Sequence, residues 1–197
     1  LNNGKETQIH SIVSISAGGD SSILVRGDGT VFTFGKADNG QLGYGENLTV
    51  NDGEKDNISD SKVNSTYHKT IPSQAVNRSD DDTTLAGGII NTYLQNVTEA
   101  DMGSEHAVVL INNGFVYSTG LGTSGQLGNG VSDSTDGYVR VVDSEGNYFE
   151  NAVNISAGYN QSASVAKGGA LYMWGDNSSK QLDRKSTRLN SSHRTIS

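Results

Sequence analysis

Four histidines, twenty-two carboxylates and no cysteine set the chemistry open to this 197-residue chain. Without cysteine there is no disulfide framework, no thiolate zinc site and no thiol nucleophile. His10 and His68 have no partner at recognisable metal-ligand spacing, and His193 belongs to a tail that breaks from the rest of the chain. Asp52, Glu54, Asp56 and Asp60, and the run Asp80-Asp81-Asp82, carry the oxygen ligands that calcium prefers. A calcium loop also needs a turn glycine and a terminal bidentate Glu at fixed spacing, and neither stretch supplies them. Both read as solvated loops. Gly120-Leu121-Gly122 lacks the following helix and the Lys-Ser/Thr pair of a phosphate loop. No Ser/His/Asp set stands out. The Asn-x-Ser/Thr triplets at Asn47, Asn64, Asn77 and Asn96 are chance matches in a chain so rich in these residues. The residues therefore point away from an enzyme, and imply no cofactor and no metal.

The formal charge is -8. An anionic surface repels phosphate backbones, which disfavours nucleic-acid binding. The longest apolar run is far short of a membrane span. Hydrophobic residues make up only 33%, and 25 glycines accompany a single proline. Short apolar runs broken by Gly, Asn, Asp and Ser predict many short strands joined by tight turns. Such strands bury a core only by stacking into a closed or repeated sheet.

The elements that would hold those strands repeat in register. Gly18, Gly103 and Gly158 align; Gly29, Gly114 and Gly169 follow eleven residues on, and Gly35, Gly120 and Gly175 seventeen residues on. At twenty-two come Gly40, Gly125 and Lys180, each followed by Gln-Leu: Gln41-Leu42, Gln126-Leu127 and Gln181-Leu182. The pairs Asp28-Gly29, Asn113-Gly114 and Gly168-Gly169 predict type I′ hairpins. They are flanked by β-branched and aromatic runs such as Val31-Phe32-Thr33-Phe34 and Leu171-Tyr172-Met173-Trp174. The glycine closing each second strand predicts a bulge or a close backbone approach. His106 is the one histidine inside a repeat core, at the position of Ser21 and Gln161. A polar residue that varies there predicts a hydrogen-bonding structural role. Leu42, Leu127 and Leu182 are expected to be equivalent and buried.

Leu1-Asn2-Asn3-Gly4 matches Leu127-Gly128-Asn129-Gly130, so the chain is expected to open at the tail of a preceding repeat, with its true N-terminus elsewhere and its compartment unknown. From leucine to leucine the spacings are 41, 85 and 55 residues. The middle unit thus carries about 30 to 44 extra residues. They fall in the polar stretch from about 44 to 95, whose composition predicts a surface insertion with little core of its own.

An apolar strand between two glycines, then Asp-Gly, Val-Phe-x-Phe-Gly and Asn-Gly-Gln-Leu-Gly resembles the regulator of chromosome condensation repeat. The resemblance covers residues 1–182. It implies an all-β fold, a partial β-propeller of about three four-stranded antiparallel blades out of an expected seven, with the long polar insertion. After Leu182 the pattern calls for glycine, yet Asp183 follows. From Asp183 to His193 the chain resembles the codon-for-codon translation of a short-read sequencing adapter, so residues 183–197 are expected to be a non-native tail. Without that tail, which holds Arg184, Lys185, Arg188 and Arg194 against Asp183, the formal charge becomes -11.

The resemblance implies a non-enzymatic scaffold that binds a protein partner through propeller face loops. Tyr67, His68 and Arg78 in the insertion are the candidate contacts. Guanine-nucleotide exchange on a small GTPase is the alternative, although none of the family's exchange residues maps onto a motif here. A propeller-type enzyme inhibitor or cell-surface binding protein is a second alternative. Inhibition calls for exposed aromatic anchors in successive loops, and Tyr44, Tyr138 and Tyr159 are scattered.

Overall fold

The computed structural model describes residues 9–44, 69–75, 93–182 and 194–195. Among these residues every regular element is a strand, and the strands form three sheets. The first blade contains β1 (Ile12–Gly18), β2 (Ser21–Arg26), β3 (Val31–Gly35) and β4 (Lys69–Gln74) in that spatial order. The second repeats the order with β5 (Val97–Met102), β6 (His106–Ile111), β7 (Val116–Gly120) and β8 (Thr135–Arg140). The third holds β9 (Ala152–Ala157), β10 (Gln161–Ala166), β11 (Leu171–Gly175) and β12 (Arg194–Thr195). The first three strands of each blade begin at the same repeat positions in each copy, as the aligned glycines require, whereas the outer strands β4, β8 and β12 do not.

Two hydrophobic cores lie between neighbouring blades. Ile23, Val25 and Val31 of the first blade pack with Ala100, Met102, Ala107 and Val109 of the second. Val108, Leu110 and Val116 on the other face of the second blade pack with Ala152, Ile155 and Trp174 of the third. Alternation along each strand thus feeds two interfaces at once. The second blade, covered on both sides, has β7 buried along its whole length, while β11 is only half-buried except at Trp174.

Several expectations are revised. The hairpins form where Gly29 and Gly114 sit, but not as type I′ turns. Gly29 N donates to Arg26 O at 2.9 Å and Arg26 N to Thr30 O at 2.9 Å. Gly27 and Asp28 are therefore the central residues, and Gly29 follows them at φ 81°. This is the three-residue loop in which a type I turn precedes a left-handed glycine. Asp28 caps it by accepting Thr30 N at 3.0 Å. Asn113 and Gly114 repeat the arrangement. In the third hairpin Gly168 and Gly169 both have positive φ, and Gly168 occupies the second central position that type II turns reserve for glycine.

Within the polar stretch 44–95 the described residues form β4, the outer strand of the first blade, and bury Ala75 directly after it and Leu94 at the far end. Pro72 is tolerated there because β4 is an edge strand. The third blade departs from four antiparallel strands: β12 is two residues long and pairs parallel to β11. It comes from sequence in which the repeat register has already broken, at Asp183. Leu42 and Leu127 are fully buried, but Leu182 is only half-buried. Leu42 and its loop lie against the following blade, and among the described residues no blade follows Leu182.

Candidate functional site

The polar side chains of the repeats are largely spent on holding blades together. Each Gly-Gln-Leu loop crosses onto the next blade. Thr119 Oγ1 donates to Gly40 O at 3.1 Å. Trp174 Nε1 and Ser162 Oγ both donate to Gln126 O, at 3.0 and 2.9 Å. Gln41, Gln126 and Gln181 turn back to accept the amides of Asn39, Ser124 and Ser179 with their Oε1 atoms. Thr33 and Ser118 hold the carbonyls of Leu42 and Leu127, each at 2.6 Å.

His106 has the structural role its position suggests. It is fully buried, with Nε2 2.9 Å from Ser162 Oγ. The Ser162 hydrogen goes to Gln126 O, so Nε2 carries the imidazole hydrogen and donates to Ser162. Burial lowers the His106 pKa to about 4, against smaller upward contributions from the Gln161 backbone and Asp101. A neutral imidazole sealed between blades is a brace and has no access to a substrate.

Along the inner edge, two carboxylates secure the next blade. Asp101 accepts Ser16 Oγ at 2.6 Å from the first blade and Ala157 N at 2.7 Å from the third. Glu99 accepts Ile155 N at 3.2 Å and Asn154 Nδ2 at 2.9 Å. Desolvation raises the Glu99 pKa, opposed by the Ile155 amide and reinforced by Asp101. These acceptors satisfy amides on the exposed edge of β9 that would otherwise invite another strand. Sequence reasoning missed both, because their partners lie fifty-five or more residues away.

The loops and turns gather at the two ends of the blades, while Val13, Ile15 and Val153 are exposed along β1 and β9. At one end are the β1–β2, β5–β6 and β9–β10 turns and the loops that leave β3, β7 and β11. Tyr159 stands out there, 74% exposed, on the β9–β10 turn. Its backbone is fixed: Tyr159 O accepts Ser104 N at 3.1 Å, and Gly158 N donates to Gln161 O at 2.8 Å. Lys36 bridges blades nearby, 3.3 Å from Asp38 and 3.7 Å from Glu105; the hydrogen bond and charge of Asp38 raise its pKa. At the opposite end Arg140 lies over Tyr148, Phe115 and Tyr117, with ring centroids 4.4, 4.9 and 5.7 Å away, and its Nε donates to the Tyr117 hydroxyl at 3.0 Å. Nothing in the sequence announced this cluster.

Of the aromatic residues considered as anchors, Tyr138 is fully buried, Tyr44 is half-buried with its hydroxyl on the Thr33 carbonyl, and Tyr159 is the one largely exposed. Tyr67, His68 and Arg78 lie outside the described residues, as do Asp52, Glu54, Asp56, Asp60 and Asp80 to Asp82. Among the described residues no group of three or more His, Asp and Glu side chains could hold a metal, and no helix is long and apolar enough to cross a membrane.

The family model described as the regulator of chromosome condensation (RCC1) repeat matches twice, at residues 12–41 and 28–79. The X-linked retinitis pigmentosa GTPase regulator of Mus musculus is 28% identical over 173 residues, covering 86% of this chain and 14% of that protein. The regulator of chromosome condensation of the same species is 34% identical over 82 residues, 42% of this chain and 19% of that one. Among solved structures, human WBSCR16 superposes with a TM-score of 0.61 at 20% identity, covering 91% of this chain and 38% of that chain. Prp20p of Saccharomyces cerevisiae, whose structure was described together with its binding to Gsp1p and histones, superposes with a TM-score of 0.51 at 22% identity over 78% of this chain and 30% of that one. The chain thus spans less than a fifth of these relatives and under two fifths of these structures. With three blades in strict register and two matches to the repeat model over residues 12–79, the chain carries repeats of the regulator of chromosome condensation type.

Proposed function

We propose that this chain is a non-enzymatic propeller scaffold that binds a protein partner through the loops at the ends of its blades. The observation that carries the reading is Tyr159: a large, amphipathic side chain, three-quarters exposed, on a turn whose backbone is bonded on both sides. Rigid exposed aromatics lose little entropy on binding and anchor interfaces. The buried polar positions, His106 included, are occupied in bracing blades, which leaves recognition to the ends. A photo-crosslinking residue at position 159 should capture a discrete protein in cells of the source organism, and the same group at exposed Glu150 should not. Absence of any discrete adduct at 159 would overturn the proposal.

Exchange on a small GTPase is the second reading, favoured by the GTPase regulator among the similar proteins. It predicts that the purified chain accelerates release of fluorescent GDP from a small GTPase. A scaffold binds without that acceleration.

A further inference from the structure

An Asn-Gly pair is open to attack by its own backbone, because glycine has no Cβ to shield the amide nitrogen that follows the asparagine. The pair occurs four times in the chain, at Asn3, Asn39, Asn113 and Asn129. Asn3 lies outside the described residues. The fold treats the other three differently.

In two of them the glycine amide is engaged and enclosed. Gly40 N donates to Ala37 O at 3.1 Å, and Gly114 N to Ile111 O at 2.9 Å. Both glycines are buried. A Cβ on Gly40 would lie 2.5 Å from Thr135 O, and one on Gly114 3.1 Å from Asn151 Cα, so the main chain of the next blade crowds both. Neither nitrogen can leave its turn without a local opening.

Gly130 has none of this protection. It is exposed and holds φ 82°, and among the described residues its N–H has no hydrogen-bond acceptor. A Cβ there would meet only Val142 Cγ2, at 3.3 Å. Asn129 Oδ1 accepts Val131 N in a long contact of 3.4 Å, which folds the side chain forward over the Gly130 amide. Asn113 makes the same forward contact to Phe115 N at 3.3 Å, so the difference between the two pairs lies in the glycine amide.

From this contrast we infer that Asn129 is a site of self-modification, at which the chain converts asparagine to isoaspartate and so loosens the junction between the second and third blades. Gly130 N gives its proton to hydroxide and bonds to Asn129 Cγ. The Cγ–Nδ2 bond breaks, and the side-chain nitrogen takes a proton from water and leaves as ammonia. Water then opens the cyclic imide at either carbonyl, giving aspartate or isoaspartate. Isoaspartate puts an extra methylene into the main chain. The adjacent residue has little slack for it: Gly128 is packed so closely on Trp174 that a Cβ would lie 2.7 Å from Nε1, and Gly128 O accepts Val142 N at 2.8 Å.

Ageing of the purified 197-residue chain at mildly alkaline pH, followed by peptide mass spectrometry, tests this. The peptide containing Asn129 should gain the mass of an acid over an amide, and should become a methyl acceptor for protein isoaspartate methyltransferase. It should do so roughly tenfold or more faster than the peptides containing Asn39 and Asn113, whose amides must first open. In urea, where no turn protects them, the three should react at similar rates. Emission of Trp174, the chain's one tryptophan, should move toward that of the unfolded chain over the same time course. Asn129→Gln should abolish both changes. Asn129→Asp, which installs the charge without lengthening the main chain, should keep the emission of the fresh protein. Equal rates at the three asparagines in the folded chain overturn the inference, as does an Asn129 that reacts in urea but not in the folded chain. Isoaspartate formation that leaves Trp174 emission unchanged overturns the effect on the junction.

Discussion

Asp101 accepts four hydrogen bonds from three strands: Ser16 Oγ on β1, its neighbour Met102 N, and Ser156 Oγ and Ala157 N on β9. One carboxylate therefore ties three blades at their inner edge, and losing it leaves a partly buried amide without its acceptor. Asp101→Ala should cost about 2–3 kcal/mol in urea unfolding, whereas Glu150→Ala on the surface should stay within about 0.5 kcal/mol. His106 acts in the opposite sense, through a charge it avoids. Its folded pKa of about 4 lies below the ordinary 6.5. As pH falls through that window the unfolded chain takes up a proton that the folded chain refuses, so stability drops with falling pH. Between pH 7 and 5 the urea midpoint should decline, with the loss of unfolding free energy over the whole window bounded at about 3 kcal/mol. His106→Gln, which installs the residue found at position 161, should flatten the slope. A slope that persists in that variant would show that the proton goes elsewhere.

At the scale of elements, the hairpin glycines separate two demands that the sequence presents as one. Gly29 and Gly169 hold nearly the same positive φ, but only Gly29 is pressed against the backbone of the next blade. Gly169→Ala should therefore cost about 1 kcal/mol of backbone strain, and Gly29→Ala about 3 kcal/mol or more, because the obstruction is main chain and cannot rotate away. Equal losses in thermal unfolding would mean that the junction does not constrain the turn. The repeats were legible because glycine is needed wherever backbone meets backbone, and the fold fixes the spacing of such places. The left-handed entry residues at Ser11, Asn96 and Asn151 recur just as strictly, yet Ser and Asn are too common in this chain to stand out. Strand β4 escaped notice for a related reason. It is an outer strand paired along one edge only, and Lys69-Thr70-Ile71-Pro72-Ser73-Gln74 lacks the apolar density of the central hairpins and carries the chain's one proline. The aromatic cluster around Arg140 was illegible altogether, since it joins residues from three separate segments with no common spacing.

For the molecule as a whole, stability should be graded along the row of blades. Blades that touch only their neighbours behave as a one-dimensional array, each held by its own hairpins and by the junctions on either side. Among the described residues the second blade has two junctions, and the first and third have one each. Burial follows: β6 is buried at five of its six positions and β7 at all five, whereas β2 alternates and β11 is covered only at Trp174. Amide exchange in native conditions reports the free energy of the smallest opening that exposes each group. Amides of β6 and β7 should accordingly exchange slowest, near the rate set by global unfolding, with β2–β3 and β10–β11 exchanging earlier. Peptide-resolved mass spectrometry at low chain concentration measures this order directly, and uniform protection of all three blades would show a single cooperative unit instead.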